Sequence, residues 1–573
     1  LSTRTTAHHF LEGLAEAGIE YLFCNLGTDH ASIIEELARR DQDGRRYPRV
    51  VLCPHENVAI HMAGGYAAVT GRGQGVLVHV DAGTANAAMG MHNLARGRLP
   101  VMLMAGKSPH TLRGELPGSR DNYVHFVQDP FDMASVVRPY VKWEHSLATG
   151  VNAREVVMRG HAMMQSDPPG PVYLTLPREA LAESWEDGRV RSFAGDRYGA
   201  VAAGGIAPEA AAQIADMLLA AENPVVITAY LGRKAAAVAA LEALARECGI
   251  AVAEFSPTHM CISRASPCFA GFDPARVLAD ADLGLLLDVD VPWLPKYVQE
   301  NPATRWIQVD VDAIKKDFPM WGFAADVRHQ ADCASVLPQV LAAVRERATP
   351  AQRAAAASRM VKLEENRRQR EKSWADLSAD AGARGALSAG AVCAALGRAI
   401  RPTDVVVNEA IRNAPAVLTQ IPRSEPLSLI GAAGAGLGYS AGMALGIRLA
   451  QPGRRVINVV GDGGFHFSTP TSVYAVAQQY GLPIFTLVLD NGGWQAVMEA
   501  TLRVHPDGHA AATREFQARL GGPMRRFDQV AAAFGAHGET VDEPGLVEAA
   551  IARCLAAVDR GQAAVLVAKI KPF

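Results

Sequence analysis

Three doubly wound α/β domains, each built on a parallel sheet, are the fold class this sequence predicts, and three observations predict it. Short apolar runs of strand length alternate with Ala-rich stretches of helical periodicity along the whole chain, as expected for strands covered on both faces by crossover helices. The 573 residues are 49% hydrophobic and 20% charged, enough for two or three cored domains. Two polar stretches interrupt the alternation, one after "PVYLTLP" and a longer charged, Ala-rich one from "RERATPAQR" to "ADAGARG".

The elements follow in order. An amphipathic helix pattern, "RTTAHHFLEGLAEAG", leads into "IEYLFCNLG", and then come "RVVLCPHEN", "QGVLVHVDAG", "LPVMLMAGK" and "PVYLTLP", which make a first domain over 1–184. A second domain over 195–345 carries "NPVVITAYLG", "DLGLLLDVDVPW" and "RWIQVDVD", and 346–385 reads as a solvated helix and connector. The third domain, 386–573, carries "DVVVNEA", "RRVINVVGDGG", "LPIFTLVLDNGG" and "QAAVLVAKI".

Composition excludes several classes of function. Lys and Arg total 56 against 59 Asp and Glu, with no dense basic block, so neither nucleic acid nor an anionic membrane is expected as partner. No apolar run reaches the length of a membrane span. Eight scattered cysteines without a C-x-x-C pair fit a reduced compartment better than a disulfide or zinc framework. The N-terminal residues do not read as a signal peptide. A cytoplasmic enzyme or binding protein with a small-molecule partner is the expectation.

Three motif look-alikes fail on spacing. Gly106-Lys107-Ser108 resembles the end of a phosphate loop, but Val101 stands where G-x-x-x-x-G-K-S/T needs its first glycine. Gly434, Gly436 and Gly438 fall short of a dinucleotide fingerprint because Tyr439 occupies the third glycine position. His55-Glu56 is followed by Ala59 where a zinc helix needs histidine.

One constellation survives. "RRVINVV", "GDGG", "TSVYAVAQQYG" and "PIFTLVLD" read as strand, turn, helix and strand, a right-handed βαβ unit whose two strands end on the same edge. Asp462 and Asn491 therefore emerge side by side at the edge where such folds bind ligands. A carboxylate and an amide oxygen are hard ligands suited to magnesium, which completes its shell with phosphate oxygens and water, and Gly461, Gly463 and Gly464 let a phosphate approach the backbone. An Asp-Gly turn alone is usually only a turn; here the second element and its spacing point to a metal that holds a diphosphate.

Beyond that spacing, "GDG" followed by "DN", the stretch "PHENVAIHMAGGYAAVTG", "GTANAAMGMHNLARGRLPVMLMAG", "RPYVKW", "GPVYLTLP" and "GAGLGYSAGMALGIRLAQPGRRVINVVGDGG" resemble the thiamine diphosphate-dependent enzymes of the acetolactate synthase and benzoylformate decarboxylase family, over nearly the whole chain and in the family's order. The resemblance implies pyrimidine-binding, central and diphosphate-binding domains. It also implies sites between the first domain of one subunit and the third of another, hence a homodimer or homotetramer. Thiamine diphosphate and Mg2+ are the implied cofactors; some relatives also bind FAD in the central domain, and "AYLGRK" does not decide that question.

The resemblance places Glu56 as the carboxyl group that works on the aminopyrimidine, among small apolar neighbours. It makes Asp462, Asn491 and the backbone oxygen of Gly493 the metal ligands, although Asp490 replaces the first Asn of the usual pair and the spacing around Pro470 is longer than in many relatives. Leu437 aligns with the residue that bends the cofactor, and Ala435 with a backbone acceptor. Asn408, Glu409 and Arg412 fall where relatives bind diphosphate oxygens. On the substrate side the expected residues are Thr28, Asp29 and His30, with His125 and Gln128; Trp293 suits either a pocket or central-domain packing. The activity implied is non-oxidative decarboxylation and carboligation of 2-oxo acids, and the alternative is a lyase or hydrolase that cleaves 2-hydroxyketones or diketones with the same cofactor.

Overall fold

Apolar runs that alternate with helices can bury both faces only by stacking side by side, and they do so in three six-stranded sheets whose pairings are all parallel. The computed structural model describes residues 2–45, 48–192, 195–382, 387–431, 433–522 and 525–572. The first sheet runs, in spatial order, Arg49–Leu52, Tyr21–Cys24, Gln74–Val78, Val101–Lys107, Val172–Pro177 and Glu144–Ser146. The central sheet runs Phe269–Gly271, Ala251–Glu254, Pro224–Thr228, Leu283–Leu287, Arg305–Asp310 and Val327–Gln330. The third runs Leu429–Ile430, Val405–Glu409, Val456–Gly461, Phe485–Asp490, Ala564–Lys569 and His537–Val541. In the polar stretch after the first domain, Ser184–Glu186 turns back to pair antiparallel with Thr3–Thr5.

The first and third domains meet through two helices rich in small residues, Glu56–Thr70 and Ser440–Ala450. A Cβ on Gly65 would lie 2.1 Å from the carbonyl oxygen of Met443, and one on Gly446 would lie 2.0 Å from that of Met62. The backbones are in direct contact, which only glycine permits. A helix over Pro350–Gly382 leads from the central domain to the third. Trp293 packs in the central core, with ring centroids 5.0 Å from Trp306 and 5.2 Å from Phe323.

The strand order places a topological switch in the central sheet between Pro224–Thr228 and Leu283–Leu287, the crevice where a dinucleotide would sit. That crevice is closed. Ala229 and Tyr230 donate backbone N–H bonds to the carbonyl of Asp288 at 3.2 and 3.0 Å. Above them Lys315, fully buried, reaches Asp310 at 2.6 Å, Asp290 at 2.9 Å and the Tyr230 hydroxyl at 2.8 Å. Arg233 pairs with Asp288, and Arg98 of the first domain pairs with Asp290, both at 2.6 Å. The side chains of Lys315, Arg233 and Arg98 thus occupy that switch point. Among the described residues no helix is long and apolar enough to cross a membrane, and all eight cysteines are buried and free.

Candidate active site

Gly461 pairs with Leu489 in the parallel register of the third sheet, so the residues that follow, Asp462 and Asn491, leave the sheet together. The Asp462 carboxylate accepts from the backbone N–H of Gly492 at 3.0 Å and of Gly463 at 2.9 Å. The Asn491 side-chain oxygen accepts from Gly493 at 3.3 Å. Gly492 and Gly493 have φ of +93° and +148°, backbone that L side chains avoid, and a Cβ on Gly493 would strike the Ala518 carbonyl at 2.1 Å.

Three observations fit a metal-bound diphosphate here. Burial, and then the nearby Asp490 charge, push the Asp462 carboxyl up to about 7, and a cation bound beside it would favour the charged form. The backbone at Gly461 is ordinary, with φ −77° and ψ 160°, and a Cβ there would find its nearest neighbour only 4.0 Å away. Nothing in the chain requires that glycine, and an incoming group would. The indole Nε1 of Trp494, beside Gly463, is buried without an acceptor. Asp490 is no spare ligand: Arg525 at 2.6 Å and Lys569 both bind it and hold its carboxyl below the usual range despite burial.

The glycine loop that carries Ala435 and Leu437 is clamped from the first domain. Asn93 accepts from the N–H of Gly436 and donates to its carbonyl, both at 3.0 Å, and His92 reaches the Gly434 carbonyl at 2.8 Å. Ala435 holds φ +56° and is exposed, a strained conformation for alanine that presents its backbone outward. Leu437 is half-buried rather than part of the core. Asn408 turns its side-chain oxygen onto the Ala410 N–H at 3.1 Å.

Glu409 requires a correction. It is almost wholly buried and accepts from the backbone N–H groups of Gly438 and Ser440, and burial raises its carboxyl to about 7. It anchors the start of helix Ser440–Ala450, and an acceptor-only group so engaged does not receive phosphate. Arg412 lies exposed on a short turn, already paired with Glu499.

Glu56 opens its helix, capped by His55, and accepts from the Asn86 side chain at 3.1 Å. The neighbouring Asn57 donates to the carbonyls of Gly438 at 3.1 Å and Phe467 at 3.4 Å. Within one chain the glutamate helix therefore abuts both the glycine loop and the end of the turn that starts at Asp462.

The substrate-side expectation is partly overturned. His30 is completely buried, with Nδ1 accepting from Gly27 N–H at 3.0 Å, so it faces the core rather than a substrate. Asp29 is also buried, its oxygens facing His79 Nδ1 at 2.6 Å and the Val80 N–H at 3.4 Å. Its carboxylate lies so close to Gly106 that no Cβ fits there, which explains the glycine of the false phosphate loop. The ring that remains half-buried is His79, whose Nε2 meets the Gln128 side-chain oxygen at 3.0 Å. Thr28 is exposed, 3.5 Å from the Nε2 of the buried His125. The hydrogen bond to Asp29 raises the pKa of His79, whereas burial lowers those of His30 and His125. His79 was missed although it directly follows the strand Gln74–Val78, at the same kind of sheet edge that marks Asp462; Asn86 and Trp494 had no comparable signal.

Comparison with known proteins bears on the family and the fold. Profiles for the N-terminal TPP binding, central and C-terminal TPP binding domains of thiamine pyrophosphate enzymes match residues 4–136, 211–340 and 414–568. The chain is 25% identical to benzoylformate decarboxylase of Pseudomonas aeruginosa over 501 residues, 85% of this chain and 86% of that one. It is 30% identical to the acetolactate synthase isozyme 3 large subunit of Escherichia coli over 131 residues, 23% of this chain and 21% of that one. Among solved structures, the thiamine diphosphate-dependent 4-hydroxybenzoylformate decarboxylase of Rhodococcus jostii superposes with a TM-score of 0.76 at 20% identity, over 100% of this chain and 99% of that one. The benzoylformate decarboxylase of Polynucleobacter necessarius gives 0.76 at 18% identity, with both chains fully covered. With all three domain profiles matched in order around a buried Asp462–Asn491 pair and a helix that opens on Glu56, this chain belongs to the thiamine pyrophosphate enzyme family.

Proposed function

We propose that the protein is a thiamine diphosphate- and magnesium-dependent decarboxylase of 2-oxo acids that also joins the resulting two-electron fragment to a second carbonyl compound. The observation that carries this reading is the pair of adjacent strand ends that sets Asp462 beside Asn491, together with a reachable histidine, His79, held by Asp29 and Gln128. The similarity to benzoylformate decarboxylase over most of both chains supports it.

Asp462, Asn491 and the Gly493 carbonyl would hold the metal and, through it, the diphosphate, with Gly461 leaving room for phosphate oxygens and Leu437 bending the cofactor. When bound, thiamine diphosphate would supply an acidic ring carbon whose conjugate base is a nucleophile toward carbonyls, and an electron sink for decarboxylation. The chain's own work is proton management. Glu56, steadied by Asn86, exchanges a proton with the pyrimidine ring. His79 keeps its proton to higher pH than an ordinary histidine because Asp29 faces it, which suits it to meet the substrate carboxylate and to return a proton to the product. Thr28 offers a hydroxyl on the same side.

We infer further that the working enzyme is at least a dimer, with each site shared between subunits. Leu112, Leu116, Tyr123, Phe126, Val127 and Phe131 all stand exposed in the segment that carries His125 and Gln128, large apolar side chains of the kind a second subunit would cover. The function is tested by incubating the protein, thiamine diphosphate and magnesium with a panel of 2-oxo acids, with and without an aldehyde acceptor. Carbon dioxide and aldehyde are expected, with 2-hydroxyketone when acceptor is present. Inertness to every 2-oxo acid combined with cleavage of a 2-hydroxyketone would replace this reading with a lyase.

A further inference from the structure

A cavity of about 600 Å3 lies between the central domain, the helix Pro350–Gly382 and the third domain. Its size is that of a site for a whole small molecule. The third domain contributes Asn408 and Ala435, so the cavity adjoins the residues assigned to the cofactor; Phe255, Phe272, Trp374 and Leu418 make much of the rest apolar and aromatic.

Into this lining the helix Pro350–Gly382 places Arg370, which is 92% buried (8% exposed). Its Nε has no acceptor, and among the described residues no carboxylate or carbonyl binds the guanidinium. Its neighbour Glu371 is paired with Arg367 at 2.6 Å. What surrounds Arg370 is aromatic: its Cζ lies 5.0 Å from the Phe269 ring centroid and 5.6 Å from that of Trp374. Arg264, packed on Phe269 and Phe272, is the contrasting case, because Glu254 neutralises it at 2.7 Å. Arg276 and Asp273, which also line the cavity, are exposed and face each other at 3.9 Å.

A guanidinium carries five donors in a planar fork, and stacking on aromatic rings satisfies its charge but none of those donors. Burying one without an acceptor is costly, so a buried arginine on the wall of an open cavity marks where an anion binds. A planar fork pairs bidentately with a carboxylate, and the aromatic walls suit a flat body.

We propose that this cavity receives the body of the substrate, an aromatic or similarly flat 2-oxo acid bearing a second carboxylate at its far end, and that Arg370 pairs with that carboxylate. The proposal rests on the 2-oxo acid reading above and narrows it to a substrate class. Arg370 is thereby a specificity-determining residue remote from the reacting carbon.

The test compares para-carboxyphenylglyoxylate with para-methylphenylglyoxylate, alike in shape and different in distal charge. The holoenzyme should prefer the carboxylated acid by at least tenfold in kcat/KM, mainly through KM. Arg370→Gln should bring that ratio to about one, and Arg370→Lys should retain part of it. A ratio near one in the unmodified enzyme, or the same ratio in Arg370→Gln, overturns the proposal. Calorimetry of the holoenzyme with terephthalate and para-toluate gives a readout independent of turnover. If no 2-oxo acid reacts, the decarboxylase reading fails while this titration still decides the site. Terephthalate binding weakened at least tenfold by Arg370→Gln supports it; equal binding to both proteins, or none to the unmodified enzyme, refutes it.

Discussion

His79 is half-buried while Asp29 beneath it is wholly buried, and that contrast sorts the histidines of the first domain. A half-buried ring with a carboxylate on Nδ1 and only the Gln128 amide oxygen on Nε2 can exchange protons with a substrate that takes the place of Gln128. Its folded pKa is raised, so the protonated form persists as pH rises and is lost only above the ordinary histidine range; kcat/KM should be flat below that point and fall through it. Asp29→Asn removes the main cause, so the descending limb should move to lower pH, whereas an unmoved limb in the pH–rate profile contradicts the role. The ion pair's contribution to stability has the same sign, present at low pH and lost as pH rises through the folded pKa of His79. Glu56→Gln keeps the hydrogen bond to Asn86 but cannot exchange a proton. Turnover should fall by about 10²–10⁴-fold while cofactor binding by calorimetry is retained, and turnover near the unmodified rate would remove Glu56 from the mechanism. At this scale the sequence was informative unevenly. Asp462 and Asn491 could be found because a strand and a glycine turn fix where each one points. "NLGTDHASI" has no such constraint: a short turn can aim His30 inward or outward, and only packing against Val78 and Asp29 decides.

Among elements, the contact of helix Glu56–Thr70 with helix Ser440–Ala450 ties the glutamate to the glycine loop. Gly65→Val would push two branched methyls into the Met443 carbonyl, which cannot move without shifting its helix. The cost should be about 1–3 kcal/mol, read as a lower denaturation midpoint, with weaker cofactor binding because Asn57 and Gly438 lose register. An unchanged midpoint would mean that the helices are less tightly apposed than this. The strands that the apolar pattern revealed are mostly interior ones such as Val101–Lys107 and Phe485–Asp490, buried on both faces. Glu144–Ser146, Val327–Gln330 and His537–Val541 lacked that pattern because each is an edge strand with polar, partly exposed residues, and Ala251–Glu254 is a short interior strand that uses alanines. The closed crevice of the central sheet was not legible either, since Tyr230 and Asp288 are far in sequence from each other and from Asp310 and Lys315, and the four come together only in the fold.

For the whole molecule, association is the expectation with most at stake. If the apolar surface around Phe126 is a subunit interface, Phe126→Asp should shift sedimentation from a dimer or larger assembly to monomer and abolish turnover together. A protein that sediments as an active monomer would place the complete site within one chain. The proposed chemistry rests on the assignment of Asp462 and Asn491 to a metal-held diphosphate. The direct measurement is therefore calorimetric titration of thiamine diphosphate into the cofactor-free protein with magnesium, with chelator, and into Asp462→Ala. Saturable binding is expected with magnesium only, weakened at least a hundredfold in Asp462→Ala; binding that ignores both the chelator and the substitution would contradict the assignment of Asp462.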